Sequence, residues 1–163
     1  MSLDFLNTPC RERPRTSSLF GLCDDQDGTK AYSDMKNRTK WVVAVRNPKM
    51  VEIVFTAIDK CIIMDNEFHD LKRCDGMLTT NEHLFFVELK SKRTDWIQDA
   101  IEQIESTIQL FMENHKDTFY RYKKAYICNK KHPHFHQINH ETSLSFFSKY
   151  GFRIDIQAEI VFK

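Results

Sequence analysis

The run His83-Leu84-Phe85-Phe86-Val87-Glu88-Leu89-Lys90 constrains this chain more than any other stretch. Leu84, Phe85, Phe86, Val87 and Leu89 are large and apolar, which fits a β-strand covered on both faces. Glu88 and Lys90 interrupt the run. Side chains two apart on a strand point to the same face. An acid and a base are therefore carried together into an interior where charge is costly unless paired or bound to a metal. The residues before the run read as the other arm of a hairpin. Asp75 lies on a short first strand, Thr79 to Glu82 form a polar turn, and His83 to Lys90 form the second strand. A second carboxylate thus stands beside the first, with a lysine next to both. A metal-dependent phosphodiester hydrolysis needs such a set. The plainer reading is an intrastrand ion pair, Glu88 with Lys90, and Asp75 in an ordinary turn.

The flanking residues supply further elements. Trp41 to Arg46 reads as a short strand. Asn47 followed by Pro48 is a helix start, a cap and then proline at the first helical position. Val51, Val54, Phe55, Ile58 and Ile62 then recur at helical spacing, which predicts an amphipathic helix over 48–63. Glu52, Thr56 and Asp59 lie on its other side. Asp65 to Leu71 reads as a turn leading into a strand. Ile97, Ile101, Ile104, Ile108 and Phe111 form one stripe, so a helix runs from Thr94 to about His115 and packs on a sheet. Tyr120 to Cys128 reads as the next strand. Glu141 to Tyr150 reads as a helix closed by Gly151. The end alternates strictly, with Phe152, Ile154, Ile156, Ala158, Ile160 and Phe162 on one face of a single final strand.

The order is helix, three strands, helix, strand, then a small helix and a strand. With Asp75, twelve residues, and Glu88-Leu89-Lys90, it resembles the PD-(D/E)XK nuclease superfamily. The superfamily includes restriction endonucleases, junction resolvases and repair nucleases. The likeness covers residues 47 to about 128 as topology, and Asp75, Glu88 and Lys90 as motif. Cys74 stands where the name-giving proline would be. The resemblance implies an α/β fold with a restriction-endonuclease-like αβββαβ core. That core is a mixed central sheet flanked by helices, here with an extra C-terminal helix and strand.

It also implies Mg²⁺ or Mn²⁺ held by Asp75, Glu88 and the backbone carbonyl of Leu89. The helix before the motif strands adds a carboxylate, Glu52 ahead of Asp59. Lys90 holds the attacking water and helps to deprotonate it. For that its pKa falls by desolvation, against the pull of two carboxylates. Gln103 positions the phosphate, or else is a boundary residue packed on the sheet. It lacks the Gln-x-x-x-Tyr motif of some branches, because Thr107 stands at the tyrosine position. Gly76 has no side chain and lets backbone or phosphate approach closely.

Net charge is only +1, so nucleic-acid binding has to come from local patches. Lys92 and Arg93 follow the motif directly. Arg121, Lys123, Lys124, Lys130 and Lys131 fall within eleven positions with aromatic residues between them, a pattern suited to a phosphate backbone. DNA is the expected partner and RNA the alternative. A homodimer or a partner such as an ATPase would supply specificity in so short a chain. The setting would be defence, repair or mobile-element biology. A competing function is a catalytically silent or partner-activated nuclease-like subunit that binds nucleic acid or a protein.

No apolar run approaches eighteen residues, so no membrane span is expected. The N-terminus lacks a basic region followed by an apolar stretch, so no secretory signal is expected. The five cysteines are odd in number and scattered, which argues against a disulfide framework and for a reducing cytoplasm. Cys128, His132, His134, His136 and His140 do not match zinc-finger or His-Glu-x-x-His spacing and read as a surface loop or groove edge. Residues 1–40, with Arg11, Arg13 and Arg15, read as a partly extended arm, and residues 41–163 as one nuclease-like domain.

Overall fold

In the computed structural model, which describes residues 3–68, 70–132 and 137–163, the apolar run is a strand with every residue buried. The elements in chain order are β1 (Leu19–Cys23), β2 (Tyr32–Asp34), β3 (Val43–Arg46), β4 (Val54–Ala57), α1 (Asp65–Phe68), β5 (Gly76–Thr79), β6 (His83–Lys90), α2 (Ile97–Asn114), β7 (Tyr122–Asn129), α3 (His140–Tyr150), β8 (Arg153–Ile156) and β9 (Glu159–Val161). One sheet has the order β4-β5-β6-β7-β8 and the other β2-β1-β3-β9. In the first, β4, β5 and β6 are antiparallel neighbours, while β6, β7 and β8 run parallel. The second is mixed as well: β1 pairs antiparallel with β2 and β3, and β3 pairs parallel with β9.

Alternation along β6 explains the layering. Leu84 and Phe86 join Met77, Ala125 and Ile127 against Ile101, Ile104, Ile108 and Phe111 of α2. Phe85, Val87 and Leu89 point the other way, onto Phe20, Leu22, Val43 and Val45 of the second sheet. The central sheet is therefore covered by helices on one face and by a second sheet on the other. Burying one such side chain contributes about 1.5–3 kcal/mol. Because Glu88 and Lys90 share the parity of Leu84 and Phe86, they face α2.

The helix expected over 48–63 is a strand instead. Asn47 is fully buried, and its side chain bonds Val51 both ways: Nδ2 donates to the Val51 carbonyl at 2.8 Å and Oδ1 accepts from the Val51 N–H at 3.1 Å. That closes a turn with Met50 at φ 52. The β-branched residues Ile53, Val54 and Thr56 then favour extended backbone. All four β4 residues are buried, so two covered faces mimic a helical repeat. Strand β4 is thus the antiparallel neighbour of β5, and Asp65–Leu71 contributes the short α1 rather than a strand.

The N-terminal third is built into the fold rather than hung on it as an arm. Strands β1 and β2 belong to the second sheet. Residues 11–15 run along the edge of β4, with the Glu12 N–H donating to the Phe55 carbonyl and the Arg15 N–H to the Ile53 carbonyl, each at 2.8 Å. Phe5 is fully buried against Phe111 of α2. Its N–H donates to His115 Nε2 at 3.0 Å. This path brings Cys10 beside the turn after β4, where it forms a disulfide with Cys61. The scattered cysteines had argued against such a bond, since sequence spacing carries no record of the edge pairing that joins them.

Helix α3 ends at Gly151, which adopts the left-handed conformation at φ 73. The final alternation is real but serves two sheets. Phe152, Ile154 and Ile156 enter the helix-side core, while Ile160 and Phe162 enter the core between the sheets. The chain crosses over at Gln157 and Ala158, so β8 pairs with β7 and β9 with β3. No helix among the described residues is long and apolar enough to cross a membrane.

Candidate active site

The β5–β6 hairpin register pairs Gly76 with Val87, which sets Asp75, one residue before β5, opposite Glu88. Two hydrogen bonds lock them. The Leu89 N–H donates to Asp75 Oδ2 at 2.7 Å, and the Asp75 N–H donates to Glu88 Oε1 at 3.1 Å. Asp75 and Glu88 are only 7% and 3% exposed. Burial pushes the Asp75 carboxyl well up, and the nearby charges of Glu88 and Asp24 push it further. Burial likewise raises Glu88 to about 7, against the pull of Lys90.

Lys90 lies 3.2 Å from Glu88 Oε2. Its Nζ also donates to Asp99 Oδ2 at 2.8 Å and to Gln103 Oε1 at 2.6 Å. An ammonium has three protons, and each finds an acceptor here. Burial pulls the Lys90 pKa down, but Glu88 and Asp99 outweigh it and hold the group above its ordinary value. The sequence expectation of a lowered lysine is therefore corrected: the α2 face adds a carboxylate that it did not include. In this arrangement Lys90 is held as a cation that donates to Asp99 and Gln103. Gln103 does reach the motif, and its Nε2 donates to the Arg73 carbonyl at 3.3 Å.

Cys74 has a structural reason to differ from proline. Its N–H donates to Thr107 Oγ1 at 2.8 Å in the buried interior, a bond that proline lacks. Gly76 also has a reason other than phosphate approach. A Cβ there would lie 2.4 Å from the Phe55 ring and 2.8 Å from the Thr56 carbonyl.

Of the other expected ligands, Glu52 is not brought to this point, while Asp59 lines a cleft with Asp99 and Gln103. Glu52 precedes β4 at the end that pairs with Thr79. It lines a groove of about 980 Å³ with Thr80, His83 and Phe119, at the far end of the hairpin. Asp59 accepts from Arg73 Nε at 2.8 Å. Arg73 is also bound to Asp65 and to the carbonyls of Phe68 and Leu71.

The basic residues divide into two groups. Register pairs Lys90 with Asn129 and His83 with Tyr122. Lys92, Arg93, Lys130 and Lys131 therefore flank the carboxylates, while Arg121, Lys123 and Lys124 lie toward the opposite end, with Tyr122 and Asn129 roughly 23 Å apart at strand rise. There Arg121 approaches Glu82 at 3.8 Å and Lys123 sits over the Phe152 ring at 5.3 Å. Of the histidine run, His134 and His136 lie outside the described residues. His132 bonds the Arg93 carbonyl at 2.8 Å and stacks on Trp96, and Cys128 is buried in the core between the sheets.

Sequence reasoning missed Asp99. It had a signal: it stands four residues before Gln103, so the two share a helix face. Compared with known proteins, the chain matches no family model, no curated protein and no solved structure.

The donor set suits a hard divalent cation. Burial raises both carboxylates and Glu88 raises Asp75 further, and a bound cation reverses that penalty. Among the described residues no group of three or more His, Cys, Asp or Glu side chains is arranged to hold a metal. Asp75 and Glu88 are the two carboxylates that could hold such a cation, and Mg²⁺ keeps several waters of its own.

Proposed function

We propose that this chain is a metal-dependent phosphodiesterase of the PD-(D/E)XK type that cleaves nucleic acid, DNA before RNA. The observation that carries the reading is the buried, mutually bonded Asp75–Glu88 pair beside a fully donated lysine at the end of β6. The order β4, β5, β6, α2 and parallel β7 supports it, being the strand and helix order of that core without its leading helix.

Asp75 and Glu88, with the Leu89 carbonyl, hold Mg²⁺ or Mn²⁺. When bound, such a cation would supply Lewis-acid polarisation of a phosphate oxygen and would acidify a water. Lys90 donates to the phosphate or to that water and stabilises developing negative charge. Gln103 and Asp99 hold the Lys90 ammonium in place. A partner-activated subunit is the second reading. It is favoured by the complete occupation of the three Lys90 donors, which have to be partly released before substrate binds.

The test is cleavage of plasmid and of labelled single- and double-stranded DNA and RNA with Mg²⁺, Mn²⁺ or EDTA. Wild type is compared with Asp75→Asn and Lys90→Met, each checked for fold by circular dichroism. Metal-dependent cutting lost in both variants is expected, with losses of about 10²–10⁴ in rate. Cutting that survives in both defeats the assignment. No cutting by wild type, with Mg²⁺ binding that Asp75→Asn abolishes, supports the partner-activated form.

A further inference from the structure

Asn129 is a buried polar residue that the proposed chemistry does not use. It ends β7 and is 2% exposed. Its side chain makes three hydrogen bonds. Oδ1 accepts from the Lys92 N–H at 3.2 Å and from the Lys131 N–H at 3.1 Å, and Nδ2 donates to the Lys92 carbonyl at 2.7 Å. Two amides from different loops thus converge on one oxygen. The Lys130 N–H donates to the Lys90 carbonyl at 2.9 Å, and His132 bonds the Arg93 carbonyl across the same seam. The loops leaving β6 and β7 are in effect one piece, tied directly to Lys90.

That piece carries Lys92, Arg93, Lys130 and Lys131. All four are exposed, and among the described residues none has a side-chain ion pair. Arg73, Lys72, Arg46 and Arg121 by contrast each face a carboxylate, whereas Lys123 and Lys124 share the unpaired state of the four among the described residues but lie at the other end of β7. Four clustered cations, of which Lys92 also acts on Asp99, form a local field that attracts a polyanion, although the chain as a whole has a net charge of only +1.

We propose that Asn129 fastens the loops after β6 and β7 into a single cationic rim that grips the phosphate backbone of a nucleic-acid strand beside Lys90. Asn129 is a positioning residue, and Lys92, Arg93, Lys130 and Lys131 make the contacts. The inference rests on the phosphodiesterase reading for its choice of nucleic acid, and it assigns the substrate strand a place relative to the site. Arg121, Lys123 and Lys124, at the opposite end of β7, take no part.

The test is binding of a labelled single-stranded DNA oligonucleotide in EDTA, measured by fluorescence anisotropy across a salt series. Without metal, cleavage does not intrude. The variants are Lys130→Ala/Lys131→Ala, Asn129→Ala, and Arg121→Ala/Lys123→Ala/Lys124→Ala. For single strands the slope of log K against log salt changes by about 0.7 per phosphate contact. The lysine pair variant is expected to flatten the slope by roughly 1.4, two contacts at that value. Asn129→Ala is expected to weaken binding and flatten the slope although it removes no charge, which a merely structural loss of folded protein would not do. The distal triple variant is expected to keep the wild-type slope. An unchanged slope in the lysine pair variant, an equal drop in the distal variant, or no binding by wild type at low salt overturns the rim. Because these readouts need no metal, a wild type that binds as expected but neither cleaves nor binds Mg²⁺ disproves the phosphodiesterase and leaves the rim standing.

Discussion

Asp75 and Glu88 lock each other across the β5–β6 hairpin: the Asp75 N–H donates to the Glu88 carboxylate at 3.1 Å, and the Asp75 carboxylate accepts the N–H of Leu89, the next residue after Glu88, at 2.7 Å. Neither carboxylate can move without breaking a backbone bond that places the other. The site is rigid because backbone and side chain are bonded in both directions, on a strand buried at every residue.

Lys90 is the counter-charge that makes a buried Glu88 tolerable. Lys90→Ala leaves an unpaired buried charge and is expected to cost about 3–5 kcal/mol. The double substitution Glu88→Gln/Lys90→Met removes both charges and is expected to recover most of that loss. Urea denaturation of Glu88→Gln, Lys90→Met and the double measures the coupling. Independent, additive losses would mean that the pair does not interact.

Stability of the metal-free protein is expected to fall as pH rises through this site. Glu88 has a folded pKa raised by burial from 4.5 to about 7. A raised folded pKa stabilises the protonated folded state, so the contribution is complete below about 4.5 and lost as pH climbs through about 7. Thermal melting in EDTA across that window should show wild type losing stability relative to Glu88→Gln. Added Mg²⁺ should restore the wild type at the upper end. A wild type and variant that track each other at every pH would refute this.

Cys74→Pro, which would complete the proline-containing motif, is expected to harm this chain. It removes the N–H that bonds Thr107 Oγ1 at 2.8 Å, where both residues are fully buried. The cost expected for a lost buried hydrogen bond is about 1–3 kcal/mol. Cys74→Ala keeps the N–H and should lose less. Melting temperatures of the two variants decide it, and a proline variant as stable as the alanine one would show the bond to be unimportant.

The Cys10–Cys61 bond closes a segment with a sequence separation of 51. Reduction is expected to cost roughly 2–4 kcal/mol, mostly by freeing the unfolded chain. Thiol titration under denaturing, non-reducing conditions should find Cys23, Cys74 and Cys128 alone. Five thiols before any reductant is added would dismiss the bond.

Much of the candidate site was legible in the chain. Period-two alternation correctly set Glu88 and Lys90 on one face and so predicted their contact. The single stripe of isoleucines correctly set α2 against the sheet, and Gly151 correctly closed α3. Each rests on a short-range rule, because neighbours on one strand or one helix face are fixed by backbone geometry alone. The reading of 48–63 failed for the converse reason. Val51, Val54, Phe55 and Ile58 match a helical period by coincidence, since β4 is buried on both faces and shows no alternation to contradict it. What overruled the helix was the buried side chain of Asn47 folding onto Val51.

The sequence by itself determined the hairpin, its charged pair, the packing helix and the closing glycine, all written in contacts between near neighbours. Tertiary structure alone decided that a second sheet covers the other face of β6 and that the last strand divides between sheets. It also decided that Asp99 and Gln103 hold Lys90 and that Asn129 joins two loops 37 residues apart in the chain. Those contacts depend on which surfaces meet when the core closes. A residue's type and local period say which way its side chain points, and only the assembled layers say what it meets there.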